Sequence, residues 1–161
     1  MSADELNVSI AVPVQPLEAF RLFTQEIDLW WRRGPVYRTG KNNSLRLEPE
    51  LGGRFLDVDA SSGLAREIGR VQVWEPGERL QLEWRASNFQ AGEVTYIEVR
   101  FTSEQSGTRV AVRHFGWDAL PADHPVRHDQ QGAAFVRFQS RWWADLLTAL
   151  QRYAGQAANE K

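Results

Sequence analysis

Between Tyr37 and Phe115 the chain is a succession of short runs that alternate apolar and polar residues, broken by Gly, Pro, Asn and Ser, with no helical periodicity among them. Strands that follow one another without an intervening helix must pair as antiparallel hairpins, because a parallel pair needs a crossover of about a dozen residues or more. The spacing predicts strands at about 44–48, 53–59, 67–74, 79–85, 94–102 and 109–115. Turn clusters divide them: Leu51-Gly52-Gly53, Ser61-Ser62-Gly63, Glu75-Pro76-Gly77-Glu78 and Gln105-Ser106-Gly107. One further strand precedes the meander, with Leu6, Val8, Ile10 and Val12 on one side and Asn7, Ser9 and Ala11 on the other. Pro13 ends it. Pro16 can take a first helical position, and Leu17, Phe20, Phe23 and Ile27 then recur at helical spacing, followed by a short helical turn over 28–33 that carries Trp30 and Trp31.

A sheet of six or seven strands needs something to cover its apolar face. The last third of the chain supplies it: Phe135, Phe138, Trp142, Leu146, Ala149, Leu150 and Tyr153 follow the three-and-four spacing of one long helix with a broad apolar stripe. A sheet that wraps a single helix is concave, so the expected class is α+β, a curved antiparallel sheet of about six or seven strands around a long C-terminal helix, with two short helices after the first strand. The 161 residues fit one domain over 1–161, with its core at about 7–153.

Strand parity identifies which polar residues share the inward side. Leu80, Leu82 and Trp84 point one way and Gln81, Glu83 and Arg85 the other; Thr95, Ile97, Val99 and Phe101 face in while Tyr96, Glu98 and Arg100 face out; Val110, Val112 and His114 share the inner face. In 67–74, valines 71 and 73 go with Glu67, so inward valines bring Glu67 inward and leave Trp74 outside. Seven Trp, eight Phe and three Tyr are a large aromatic complement for such a core, since each buries roughly 150–250 Å². Many aromatics with few inward polar groups make a small-ligand pocket the expected site. Its expected lining is Trp30, Trp31, Phe55, Val71, Trp84, Ile97, Val99, Val112, His114, Phe138 and Trp142. His114 and Glu67 are the candidates for acid–base chemistry, against which stands the plainer reading of His114 as a hydrogen-bonded core residue and of Glu67 as a solvated edge residue.

Other chemistries lack their residues. There is no cysteine, which excludes disulfides, thiolate metal sites and cysteine nucleophiles. No phosphate-cradling glycine loop and no Gly-x-Ser-x-Gly elbow occurs. His124 and His128 lie four apart beside Asp123 and Asp129, but Pro125 between them opposes the helix that would align them, so no metal and no cofactor is expected. Asp57 and Asp59 share a strand face and read as solvated. A net charge of −2 gives no footprint for nucleic acid, and no apolar run is long enough to span or insert into a membrane, so a cytoplasmic location is expected.

Local motifs sharpen the fold. Leu47-Glu48-Pro49-Glu50-Leu51-Gly52-Gly53-Arg54-Phe55, the run from Gly69 through Trp74-Glu75-Pro76-Gly77 to Leu80, Gly107-Thr108-Arg109-Val110 with His114-Phe115-Gly116-Trp117, and the acidic-then-tryptophan segment 27–31 resemble the activator of heat-shock-protein-ninety ATPase homologue branch of the START-like, or SRPBCC, superfamily. The resemblance covers about 7–153 and implies the helix-grip fold, with a cavity between the long helix and the sheet that the superfamily uses for lipids, hormones, polyketides and other apolar molecules. Some members are cyclases or aromatases. The co-chaperone that names the branch has an additional N-terminal domain for which this length leaves no room. Three functions follow: a carrier or sensor of a small apolar or aromatic molecule, an enzyme of cyclase or hydrolase type using His114 and Glu67, and a protein-interaction module or co-chaperone presenting an apolar patch near Trp74. A homodimer through the outer sheet or an edge is compatible with that last feature.

Overall fold

The computed structural model describes residues 5–38, 40 and 42–160. In chain order the elements are β1 (Leu6–Val12), α1 (Pro16–Gln25), α2 (Ile27–Trp30), β2 (Ser44–Leu47), β3 (Arg54–Val58), β4 (Ala65–Glu75), β5 (Arg79–Trp84), β6 (Thr95–Glu104), β7 (Gly107–Phe115) and α3 (Gly132–Asn159), with short 3-10 turns at Trp117–Ala119 and Pro125–Arg127. All seven strands form one antiparallel sheet in the order β1-β7-β6-β5-β4-β3-β2. The sheet curls into a half-barrel around α3, an α+β helix-grip architecture. Sequence neighbours pair throughout the meander, and β1 closes on β7 with Leu6 opposite His114 and Val12 opposite Thr108.

Strand parity holds where the strands are regular. Leu80, Leu82, Ile97, Val99, Val110 and Val112 are all buried on the concave side. It fails in β4, where register shifts between Phe55 and Leu56 of the facing β3 and between Val71 and Val73 interrupt the ladder. Each extra residue turns the chain over, so the period-two rule does not carry across it. Ile68 and Val71 are therefore both buried although an odd step separates them, and Trp74 pairs with Leu80. The expected outward Trp74 is instead packed edge-on against Phe20 of α1 at 4.9 Å between ring centroids. Gly69 sits at the crossing, where a Cβ would lie 1.8 Å from the Glu83 carbonyl oxygen, so only glycine lets β4 and β5 approach.

The apolar stripe of α3 is turned from the expected one. Phe135, Gln139, Trp143, Leu146, Leu147, Leu150 and Ala154 are its buried residues, while Phe138 and Trp142 lie on the flank. A similar shift occurs in α1, where Leu22 is buried and Leu17 is 63 % exposed. On the convex side Glu98 is an outward residue only in the sense of its strand face. It is buried beneath Arg79 at 2.8 Å and Arg100 and Arg113 at 3.3 Å each. Burial pushes its carboxyl up, and the Arg79 hydrogen bond and the other two guanidinium charges outweigh this to hold it below the usual glutamate range.

Candidate functional site

Where the flank of α3 diverges from β3, β4 and β5, the half-barrel leaves a cavity of about 560 Å³. Its walls are aromatic: Trp31 from the end of α2, Phe55 from β3, Trp84 from β5, and Phe138 and Trp142 from α3. Segments 35–38, 85–88 and the 126–128 turn form its rim. The three indoles stand steeply to one another, Trp31 and Trp142 at 74° and 5.8 Å, Trp84 and Trp142 at 59° and 6.0 Å, while Tyr37 stacks on Trp142 at 24°. Such tilted and edge-on contacts are the preferred geometries of aromatic pairs.

The wall rings are fixed by their polar atoms. Trp31 donates its indole N–H to the Tyr37 carbonyl at 3.0 Å and Trp142 donates to the Val36 carbonyl at 2.8 Å. Arg38, its side chain fully buried, holds the segment that supplies those carbonyls. Its guanidinium donates to Arg32 O, Asp28 Oδ1, Asn43 O, Asp28 O and Trp31 O, between 2.5 and 3.2 Å. Five N–H groups meet five acceptors, which is all that arginine can offer. Asp28 also accepts from the Leu45 N–H, and although burial pushes its carboxyl up, this bond and Arg38 keep it below the ordinary range.

Besides Arg38, two polar residues reach the cavity from buried positions, and the sequence reading named none of the three as a site residue. Asp57, read there as solvated, is 3 % exposed and accepts a hydrogen bond from the Asn43 amide at 2.6 Å. It faces in because it lies two residues beyond Phe55, a signal that the alternation already contained. Asp59, in contrast, is a turn residue whose carboxylate accepts from Ser61 and Ser62, and those bonds lower its pKa to about 2. Gln139 of α3 lines the cavity at 6 % exposure.

Of the expected lining, Trp31, Phe55, Trp84, Phe138 and Trp142 are brought together at the cavity. Trp30 stands behind Trp31, donating its N–H to the Leu22 carbonyl at 3.1 Å. Val71, Ile97, Val99 and Val112 belong to the closed core with Trp143, Leu146 and Leu150, because the buried stripe of α3 covers that part of the sheet. His114 lies there too, fully buried, and does not open into the cavity. Its Nδ1 accepts from the Trp143 indole at 3.0 Å, so the ring carries its proton on Nε2 and donates to Thr95 Oγ1 at 2.8 Å, whose hydroxyl donates to the Trp84 carbonyl at 3.2 Å. Burial lowers its pKa to about 3. Glu67 is on the surface, bonded to Arg70 at 3.0 and 3.1 Å. The bulge at Gly69 separates it from the inner face, so no acid–base pair with His114 forms.

His124 and His128 do not converge. Pro125 opens a 3-10 turn and His128 is left-handed, at φ 47°. His124 pairs through Nε2 with Glu93 at 2.8 Å and accepts the Val126 N–H on Nδ1, whereas the His128 ring lies 5.0 Å from Phe138 at the cavity rim. Among the described residues no helix is long and apolar enough to cross a membrane.

Comparison with known proteins places this geometry in context. The model of the family described as "Activator of Hsp90 ATPase homolog 1-like protein" matches residues 13–155. No curated protein is significantly similar in sequence. Among solved structures, a Mesorhizobium loti protein superposes at a TM-score of 0.63 with 17% identity, over 94% of this chain and 97% of that one. An HSP90 activator from Plasmodium falciparum gives 0.63 and 16%, over 94% and 96%. The Aha1 dimer of Colwellia psychrerythraea gives 0.60 and 15%, over 91% and 92%. At these identities the structures share the fold with this chain.

Proposed function

Because the chain belongs to the family of activator of Hsp90 ATPase homologue 1-like proteins, we propose that it uses the helix-grip cavity to bind a small aromatic or apolar molecule, as a carrier or sensor without catalysis. The observation that carries this reading is the 560 Å³ space walled by Trp31, Phe55, Trp84, Phe138 and Trp142, within the size range of ligand pockets, with charged and polar side chains such as Asp57, Arg66, Arg85 and Gln139 set among the aromatic rings. Acid–base catalysis has less support, since His114 is sealed away from that space and Glu67 is bound to Arg70 at the surface. Three tryptophans in the wall make ligand entry visible as a change in intrinsic fluorescence, accompanied by a rise in Tm that grows with ligand concentration. If no compound of a broad lipid, sterol and aromatic polyketide panel changes either signal, the reading is wrong.

A second reading rests on a different feature, the shallow apolar groove of Leu17, Phe20, Trp74 and Pro76 beside α1. Exposed apolar surface of this kind is what a protein partner would cover, and the similar Plasmodium falciparum structure is of an HSP90 activator. Stimulation of a purified Hsp90 ATPase by the chain, abolished by Leu17→Asp, supports it; no stimulation at saturating concentration counts it out. Self-association is a third possibility to measure, by light scattering of the purified chain, since the similar Colwellia structure is a dimer.

A further inference from the structure

The cavity's polar groups are unequal in what they have left to offer. Trp31 and Trp142 have spent their indole N–H groups on Tyr37 and Val36, Arg38 has spent all five donors, and Asp57 holds Asn43. Gln139 has spent nothing. The residue is 6 % exposed, lines the cavity, and its side chain makes no hydrogen bond with any described residue. Nor is it sealed among side chains, since the one fully enclosed unpartnered side-chain atom among the described residues is the indole nitrogen of Trp117. Such an amide is solvated while the cavity is open and is left unpaired when an apolar ligand displaces that water, a cost an apolar side chain of the same length would not carry. Gln139 also lies on the buried stripe of α3, one turn before Trp143, where apolar residues otherwise stand.

We propose that Gln139 is the specificity-determining residue of the cavity, selecting flat aromatic ligands that carry a hydroxyl or carbonyl at the ring edge over bare hydrocarbons of the same shape. This rests on the ligand-binding reading above and adds the chemical class. The steeply set indoles of Trp31, Trp84 and Trp142 form a corner that meets a flat ring on a face and on an edge, and those of Trp31 and Trp142 have no donor left for a polar substituent. The carboxamide presents one acceptor and two donors, so it can pair with a hydroxyl in either sense and with a carbonyl as donor. A site built to hydrogen-bond a ligand group rejects the analogue that lacks it, because its own polar atoms are then left unpaired.

The test uses 2-naphthol and naphthalene as probes, measured by equilibrium dialysis against the wild-type chain and Gln139→Met, a nearly isosteric apolar replacement. In the wild type, 2-naphthol gains relative to naphthalene, and in Gln139→Met that relative preference falls by about three- to tenfold, the range expected for one neutral hydrogen bond. Naphthalene affinity holds or improves, and the Tm of the ligand-free variant is equal or higher. An unchanged affinity ratio, or an equal loss for both probes, overturns the selective role of Gln139 while leaving the cavity reading intact. Failure of both probes to bind the wild type overturns the proposal, and the cavity reading falls with it only where the broader panel also leaves fluorescence and Tm unchanged.

Discussion

Replacing His114 by glutamine should remove most of one proton's worth of acid sensitivity from the fold. The imidazole is neutral in the folded chain because burial holds its pKa at about 3, whereas in the unfolded chain it titrates near 6.5. A depressed folded pKa gives stability that is complete above the unfolded value, starts to be lost below pH 6.5, and goes on falling until about pH 3, since in that window only the unfolded chain takes up the proton. At 1.36 kcal/mol per pK unit, the loss between pH 7 and pH 5 is about 2 kcal/mol, and the folded value does not enter it so long as it lies well below 5. Glutamine keeps both contacts, its Oε1 accepting from Trp143 and its amide donating to Thr95, but does not titrate. Urea unfolding followed by tryptophan fluorescence at pH 7, 6 and 5 measures the difference, and the other two histidines cancel between the two proteins. The wild type should lose about 2 kcal/mol more than His114→Gln over that range. Parallel pH dependences within a few tenths of a kcal/mol would show that His114 is not held neutral and that the sealed chain from Trp143 to the Trp84 carbonyl is misread.

Three further substitutions probe the scaffold around the cavity. Gly69→Ala forces a methyl into the Glu83 carbonyl and should cost about 3 kcal/mol or more, seen as a lowered urea midpoint or loss of folded protein. Arg38→Met removes five hydrogen bonds and leaves the Arg32, Asp28 and Trp31 carbonyls without this donor; it should destabilise by about 3 kcal/mol and open the 32–38 segment to limited proteolysis before the rest of the chain. Glu98→Gln should cost about 2 kcal/mol at neutral pH by leaving three guanidinium groups without their shared carboxylate. Because that carboxyl is held below the usual range, its contribution is present above about pH 4.5 and disappears on further acidification, so wild type and variant should converge in stability at low pH.

The regular strands were legible because their ladders are uninterrupted: β5, β6 and β7 pair residue for residue, so the inner positions of Leu82, Val99 and His114 follow from counting by two. Counting failed in β4, where nothing in the residue types except Gly69 announces that a backbone bulge resets the parity; parity put Trp74 on the wrong side and offered an inward Glu67, whereas the plainer reading of Glu67 as a solvated edge residue matches its place beside Arg70. In α3 the difficulty was different. With apolar residues at 135, 136, 138, 142, 143, 146, 147 and 150, several stripes a fraction of a turn apart are equally apolar, and the choice is made by the sheet, which takes Trp143 and leaves Trp142 to the flank. A polar residue at 139 argued for the wrong stripe, since burying it is unfavourable by itself.

That rotation decides what kind of cavity the fold encloses. With Trp143 inside, its indole reaches His114 and ties α3 to β7 and β6, which closes the inner part of the half-barrel with packed side chains and leaves no room for a ligand there. Trp142 then stands one position further round the helix, reaching the 31–38 segment through the Val36 carbonyl and the Tyr37 ring, and the open space is displaced to the region bounded by β2, β3, β4 and β5. Its walls come from the end of α2, from four strands and from α3, but the orientation of two of its indoles depends on carbonyls of a segment organised by Arg38. Rings already fixed in the unliganded chain lose little conformational entropy when a ligand arrives, so the binding free energy of a flat molecule is not spent on ordering the aromatic wall. The same dependence makes Arg38, which has no donor left for a ligand, a position where substitution should weaken binding without removing a contact.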